Sequence, residues 1–174
     1  MLLADRPVLR SFAARAVLCG ALGGLALGLS ALAAFGREHA LMINVSPSLP
    51  YWAIWLDRGA VPQVGDIILF DPPASVLFAA HFGPVPKPFG KLVAGVPGDV
   101  VTRVGRTFFV NGREVAKAKT VSLRGEPLAL GPEGIVPRGC YFVATPHKDG
   151  FDSRYAAIGW VCGRRVLGVG RPIL

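Results

Sequence analysis

Charged residues are scarce in this chain of 174 residues. They make up 17% of the sequence, against about 25% in an ordinary soluble domain, whereas 52% of the residues are apolar. Disordered chains are polar and rich in charge, so the composition excludes a disordered protein. It also argues against an ordinary cytosolic globular protein.

The shortage of charge is most extreme at residues 16–35, which contain no charged residue. A helix of about 20 residues spans roughly 30 Å, enough to cross a bilayer core. Three arginines precede the run and one follows it, which favours a cytoplasmic N-terminus. The sequence therefore predicts a cytoplasmic segment 1–15, a transmembrane helix 16–35 and a periplasmic domain 36–174, anchored in a bacterial inner membrane.

A cleavable signal peptide is the alternative interpretation of this run. Residues 31–33 have the A-x-A pattern of a cleavage site, and the N-terminus is basic. The apolar run is longer than the usual core of a signal peptide, roughly 7–15 residues, which favours a retained anchor.

Histidine is rare as well. His39, His81 and His147 stand far apart and have no metal-ligand spacing, so we expect neither a metal nor another cofactor. The net charge is +8, but the basic residues are scattered and form no nucleic-acid-binding signature. We expect a solvated basic surface beside a lipid bilayer and no nucleic-acid partner.

Cysteine occurs three times. Cys19 lies inside the apolar run, whereas Cys140 and Cys162 each adjoin a strand-like segment of the exported part. An oxidising compartment permits a disulfide between these two residues. The sequence leaves the pairing open because it does not supply the geometry.

The exported part is composed of short β-like segments separated by glycine and proline. The Asn111-Gly112 pair is the strongest short-range signal for a hairpin, because both turn residues need positive φ. We expect a mostly β fold, built as a coiled sheet assembly or a partly open barrel. The predicted strands are 66–70, 91–94, 100–103, 107–110, 113–115, 141–144 and 160–169.

The proline-rich segment 72–89 differs from the rest, because its prolines surround the apolar stretch 76–80. It predicts either a loop or short helix that contacts membrane or substrate, or a packed surface loop.

Ser46 and Ser48 are the first candidates for chemistry, since they lie two residues apart between prolines. In an extended chain residues i and i+2 point the same way. One hydroxyl would attack a substrate while the other stabilises the developing oxyanion. Serine-proline pairs are also common in ordinary turns, so this signal is weak alone.

A serine nucleophile needs a base, and Lys91 lies in an apolar stretch. Burial would lower its pKa from about 10.4 and make the amine a usable base. Lys87, between two prolines, is expected to be exposed. The alternative base is His147, with Asp149 or Asp152 orienting it, although the spacing does not support such a triad specifically.

Four segments, in order along the chain, resemble sequence boxes of the bacterial type I signal peptidases. Residues 46–50 resemble the S-x-S-M-x-P box, one residue shorter before the proline, and residues 64–70 the G-D-hydrophobic box. Residues 91–99 resemble the K-R-V-x-G-x-P-G-D box without its arginine. Residues 151–155 with Gly159 match the D-S-R-Y/x-x-G end of the last box.

The compact size, the Asn-x-Ser-x-Ser-Leu-Pro form of residues 44–50 and the phenylalanine at 151 are most similar to the TraF-type conjugative-transfer branch. Members of that branch are single-anchor membrane proteases associated with maturing a conjugative pilin precursor, in some systems by joining its ends into a ring.

The resemblance implies a role for each matching residue. Ser48 would be the nucleophile and Lys91 the general base, with the Ser48 backbone N–H and the Ser46 hydroxyl forming the oxyanion hole. Asp152 and Arg154 would form a structural ion pair. The residues implied to support the site structurally are Asp152, Ser153, Arg154, Gly95, Pro97, Gly98 and Asp99.

Two departures from the family pattern affect the last box. Residues 144–147 replace its usual Gly-Asp-Asn start, and Gly150 stands where a serine commonly orients the lysine. Ser153, Thr145 or a water remain as substitutes for that serine. The region of the family's larger second β-domain is small here, so substrate specificity does not carry over.

The resemblance thus implies a signal-peptidase-like coiled β-sheet domain following one transmembrane helix. Its expected activity is that of a Ser/Lys serine endopeptidase that cleaves, and in some cases cyclises, a membrane-bound pilin precursor. One alternative is a general type I signal peptidase removing export signals from preproteins. A second is a non-catalytic anchored β-domain of a secretion or pilus assembly. A soluble, self-cleaving repressor-type protease is disfavoured by the membrane run.

Overall fold

The computed structural model describes residues 7–44 and 48–173, without the side chains of residues 7–11 and 13. The chain divides into two compact units, residues 1–38 and 39–174. The first unit contains one helix, α1 (Pro7–Glu38), and the second contains the strands.

Helix α1 includes the predicted apolar run. Its segment Ala14–Glu38 is long and apolar enough to cross a membrane, and its described side chains are almost all exposed. A soluble helix would have a polar face, whereas this one is apolar all round. The helix is therefore compatible with a membrane anchor.

The second unit is built from antiparallel strands in two sheets. Seven strands form the larger sheet: β1 (His39–Ile43), β2 (Ala53–Asp57), β3 (Ile67–Phe70), β4 (Phe89–Gly95), β9 (Cys140–Ala144), β10 (Val161–Cys162) and β11 (Val166–Pro172). Four form the smaller sheet: β5 (Val100–Val104), β6 (Thr107–Val110), β7 (Arg113–Lys117) and β8 (Gly134–Ile135). Their orders are β1-β2-β11-β3-β4-β9-β10 and β7-β6-β5-β8.

The mostly β fold that the sequence predicts is confirmed. The β6–β7 hairpin forms around Asn111 and Gly112, whose φ angles are 49° and 79°. The two sheets share a core in which the rings of Phe108 and Phe142 lie 5.7 Å apart. A disulfide joins Cys140 to Cys162.

Two strand assignments need correction. The segment 160–169, predicted as one strand, is divided by a short 3₁₀ helix, Gly163–Arg165, into β10 and β11. Gly163, with φ of 52°, accommodates this break. Strands β1 and β2 were not predicted. They pair with each other from His39↔Asp57 to Ile43↔Ala53.

The segment 72–89 contains a packed short helix, α2 (Val76–Phe82). The Ser75 hydroxyl caps its N-terminus by accepting a hydrogen bond from the Phe78 amide at 3.1 Å. Phe78 is fully buried, and its ring contacts those of Phe89 and Phe151. These aromatic contacts hold α2 against the larger sheet.

Candidate active site

Ser48 lies in the loop that connects β1 to β2. The side chain of Asn44 spans this loop, donating hydrogen bonds to the carbonyls of Leu49 at 3.2 Å and Tyr51 at 2.7 Å. The Leu49 side chain is buried in the core below. Residues 48–50 form a turn and bends rather than the expected extended segment, so the position of Ser48 is fixed by this bracing. Asn44 belongs to the Asn-x-Ser-x-Ser-Leu-Pro form of residues 44–50, but no role was predicted for it.

Lys91 lies in the middle of β4, next to Ile68 of β3. Its side chain is 5% exposed, because β4 alternates buried and partly buried residues and Lys91 falls on the buried side. Its Nζ is 3.0 Å from the Oγ of Ser48. The fold thus brings a buried amine within hydrogen-bonding distance of a hydroxyl 43 residues away.

Burial lowers the pKa of Lys91 from 10.5 to about 8. The Asp152 carboxylate opposes this shift by raising the pKa, and the Arg154 guanidinium lowers it. Removing water disfavours the charged form of an amine, which explains the direction of the main effect. A substantial fraction of Lys91 is therefore neutral at mildly alkaline pH.

Asp152 and Arg154 form a buried ion pair. The Arg154 Nε donates to one carboxylate oxygen at 2.7 Å and its Nη2 to the other at 2.8 Å. The remaining hydrogen bonds of the guanidinium go to the carbonyls of Thr145, at 2.5 Å, and Lys117, at 3.1 Å. Bidentate geometry with further partners is what stabilises a buried charge pair.

Ser153, which lies between Asp152 and Arg154 in the loop after β9, connects this loop to the strand. Its hydroxyl accepts from the Val143 amide at 3.0 Å and donates to the Gly159 carbonyl at 2.7 Å. Both bonds are buried or partly buried, so this side chain is occupied in holding the loop.

The residues implied to shape the turn after β4 lie where the two sheets join. The Asp99 carboxylate accepts hydrogen bonds from the Val96 amide and the Asn111 side chain, each at 2.8 Å. Gly98, next to Pro97, has φ of 95°. A Cβ on Gly95 would come within 3.2 Å of the Val110 side chain, so the two sheets approach closely at this position.

The predicted histidine alternative does not assemble. His147 lines the same cleft as Ser48, but its Nδ1 accepts a hydrogen bond from the Asp149 amide. The Asp149 carboxylate pairs with Lys119 at 2.6 Å, which lowers the pKa of Asp149. Because Asp152 pairs with Arg154, both carboxylates proposed to orient the histidine have other partners.

Ser48 and Lys91 line a cleft of about 620 Å³. At one end of the cleft, α2 contacts the turn formed by residues 121–127. His81 lies 3.0 Å from Glu126, and Arg124 donates to the Ala80 carbonyl at 2.5 Å. The apolar part of the lining includes Met42, Ile43, Phe82, Phe89, Val121, Leu123, Leu128 and Phe151. Lys87 lines the cleft as an exposed side chain.

The predicted oxyanion hole and the question of a metal site are separate from these contacts. Ser46 lies outside the described residues, so its place in an oxyanion hole stays a prediction. Within residues 7–44 and 48–173 no group of three or more His, Cys, Asp or Glu is arranged to hold a metal ion.

Residues 15–174 match the family model of the signal peptidases, peptidase S26. Among solved structures the chain is similar to a signal peptidase I from Enterococcus faecalis V583. The two are 27% identical, with a TM-score of 0.40, and the match covers 63% of this chain and 97% of that one. A comparison with curated proteins finds no match. Since the family model spans nearly the whole chain, the protein belongs to the peptidase S26 family of signal peptidases.

Proposed function

We propose that the protein is a membrane-anchored serine endopeptidase in which Ser48 is the nucleophile and Lys91 the general base. The observation that carries this proposal is the 3.0 Å separation between the buried Lys91 amine and the Ser48 hydroxyl. The lowered pKa of Lys91, about 8, supports it, because a base must be unprotonated to act.

In the proposed reaction the neutral Lys91 amine takes the Ser48 proton while Oγ attacks a peptide carbonyl. The resulting oxyanion is stabilised by the Ser48 backbone N–H and the Ser46 hydroxyl. The Lys91 ammonium then protonates the leaving amine, and an acyl-enzyme remains on Ser48. Water activated by the regenerated amine releases the product. An amine of the same substrate chain in place of water would close a ring.

The proposed substrate is a membrane-bound protein. Helix α1 supports this, since an enzyme and a substrate held in one bilayer meet at a high effective concentration. The arginines before the run favour a cytoplasmic N-terminus and hence a periplasmic cleft in a bacterial inner membrane.

Within this substrate class we propose a conjugative pilin precursor. The support is the resemblance of residues 44–50, and of Phe151 before Asp152, to the TraF-type branch. The family match favours a second candidate, the general removal of export signals from preproteins.

The test is to incubate the full chain in membranes with pilin precursors and with exported preproteins, and to read the products by intact mass. We expect Ser48→Ala and Lys91→Ala each to lower the rate at least about 10³-fold. Lys87→Ala, at an exposed lysine of the same cleft, is the matched control. A product lighter by one further water identifies ring closure.

Full activity in Lys91→Ala would overturn the proposed base. Cleavage of preproteins but not of pilin precursors would replace the pilin assignment by general signal removal. A wild-type protein that cleaves no substrate of either kind would instead favour a non-catalytic β-domain.

A further inference from the structure

Thr145 is a buried polar residue that the proposed reaction does not use. Its side chain is 1% exposed, and the sequence left its role open. The other buried polar side chains in the part of the chain that the structure describes are Lys91, Asp152, Ser153 and Arg154, each of which has a role above. Thr145 is the fifth such side chain, and it needs an explanation of its own.

The register of β4 and β9 brings Thr145 beside the proposed base. Leu92 is opposite Ala144 at the end of the β4–β9 pairing, and Thr145 and Lys91 are the residues adjacent to this pair. Thr145 therefore leaves β9 next to the part of β4 that carries the amine.

Thr145 contacts the Asp152–Arg154 pair through three of its atoms. Its backbone amide donates to the Asp152 Oδ2 at 3.0 Å, and its hydroxyl donates to the same oxygen at 3.4 Å. Its carbonyl accepts from the Arg154 Nη2 at 2.5 Å. The residue thus holds the carboxylate and the guanidinium in one fixed arrangement.

This arrangement matters because the two charges act on Lys91 with opposite sign: Asp152 favours its protonated form and Arg154 disfavours it. A carboxylate that turned away from Arg154 would hold the amine protonated. We propose that Thr145 is a positioning residue, whose hydroxyl keeps the Asp152 carboxylate against Arg154 and away from the Lys91 amine. The inference rests on the proposed function of Ser48 and Lys91.

Gly150 supplies an independent observation. A Cβ at this position would overlap the Thr145 hydroxyl oxygen, and it would lie 3.0 Å from the His147 carbonyl oxygen and 3.2 Å from the Asp152 Oδ2. The backbone there is not left-handed, so space and not strain excludes a side chain. Positions 145 and 150 therefore adjoin one site beside the carboxylate.

The experiment measures the titration of Lys91 in the full chain in detergent micelles. The protein is labelled with acetic anhydride across neutral and alkaline pH, and acetylation of Lys91 is quantified by peptide mass spectrometry. Since the labelling needs no substrate, its result is separate from the cleavage test. The other titratable groups that line the cleft are His81, Lys87, Lys119, His147 and Asp149, and they are the same in every variant.

Thr145→Val removes the hydroxyl and keeps the shape of the side chain. We expect the Lys91 pKa to rise by about one unit, which lowers the neutral fraction at neutral pH about tenfold. Thr145→Ser keeps a hydroxyl and should titrate like the wild type. Thermal unfolding of each variant shows whether it is folded.

Moving the hydroxyl gives the sharper test. Gly150→Ser alone should clash with Thr145. In the double variant, Thr145→Ala removes this overlap, so that Gly150→Ser can supply a hydroxyl from the other position if the His147 carbonyl, 3.0 Å from the new Cβ, shifts slightly. We expect the double variant to return the Lys91 titration toward that of the wild type. An unchanged titration in Thr145→Val would overturn the proposal. So would a double variant that unfolds at the wild-type temperature but still titrates like Thr145→Ala.

Discussion

The surroundings of Lys91 and of Arg154 differ, although both are buried basic side chains of the same unit. Arg154 donates hydrogen bonds to both carboxylate oxygens of Asp152 and to two backbone carbonyls. Among the described residues Lys91 forms no ion pair; its contacts include the Ser48 hydroxyl at 3.0 Å and the Phe89 ring, whose centroid is 5.7 Å away.

The difference separates a cation that supports the loop from one that is readily deprotonated. A guanidinium in a bidentate pair stays charged and fixes the loop around it. A lysine buried without a counterion is destabilised in its charged form and gives up its proton more easily. The surroundings of Arg154 therefore stabilise its charged form, whereas the surroundings of Lys91 destabilise its charged form.

Breaking the Asp152–Arg154 ion pair should change the stability more than replacing Lys91. Asp152→Asn leaves the Arg154 charge buried without its partner, and we expect the free energy of unfolding to fall by about 3–5 kcal/mol. The measurement is denaturant unfolding of the full chain in micelles, followed by tryptophan fluorescence.

Asp149→Asn is the matched control for this change, because Asp149 belongs to the more exposed pair with Lys119. Its effect should be much smaller, because ion pairs near the surface contribute little to stability. Equal losses in the two variants would contradict the view that the Asp152–Arg154 pair braces the site.

Replacing Lys91 should change the stability less, and in the opposite direction. Below the folded pKa of about 8, Lys91 is charged in both states and folding bears the whole cost of its burial. Lys91→Met removes that cost, so we expect the free energy of unfolding at neutral pH to rise by about 3 kcal/mol, while activity is lost.

This gain has a defined pH window. Between the folded pKa of about 8 and the ordinary value of 10.5, the unfolded chain binds the extra proton, so the wild type becomes relatively more stable as the pH rises. The advantage of Lys91→Met should shrink across this window. Lys117→Met, at an exposed lysine, is the control and should change little. A loss of stability in Lys91→Met at neutral pH would contradict the account.

Local patterns sufficed for much of the fold. The Asn111-Gly112 turn depends on residues adjacent in sequence, and so did its prediction. The break at Gly163 was missed because the apolar residues on both sides of it read as one strand. The strands β1 and β2 were missed because their pairing is defined by contacts with each other and with β11, near the end of the chain.

The approach of Ser48 to Lys91 needs that long-range order. Between the loop that carries Ser48 and the strand that carries Lys91, the sheet contains β11 and β3, and no local pattern predicts that β11 inserts there. The apolar neighbours of Lys91 marked it as a candidate for burial but did not determine which way it faces. The bracing of the loop by Asn44 and the contact of Thr145 with Asp152 likewise depend on tertiary packing.

The central claim is that buried Lys91 acts as the base for Ser48. Its most direct test is the rate at which a soluble acetyl ester acylates Ser48 in the full chain, measured by mass spectrometry as a function of pH. The account predicts a rate that rises with pH through an apparent pKa of about 8 and is lost in Lys91→Ala. A rate that is independent of pH, or one that rises only near the ordinary lysine value of 10.5, would contradict it.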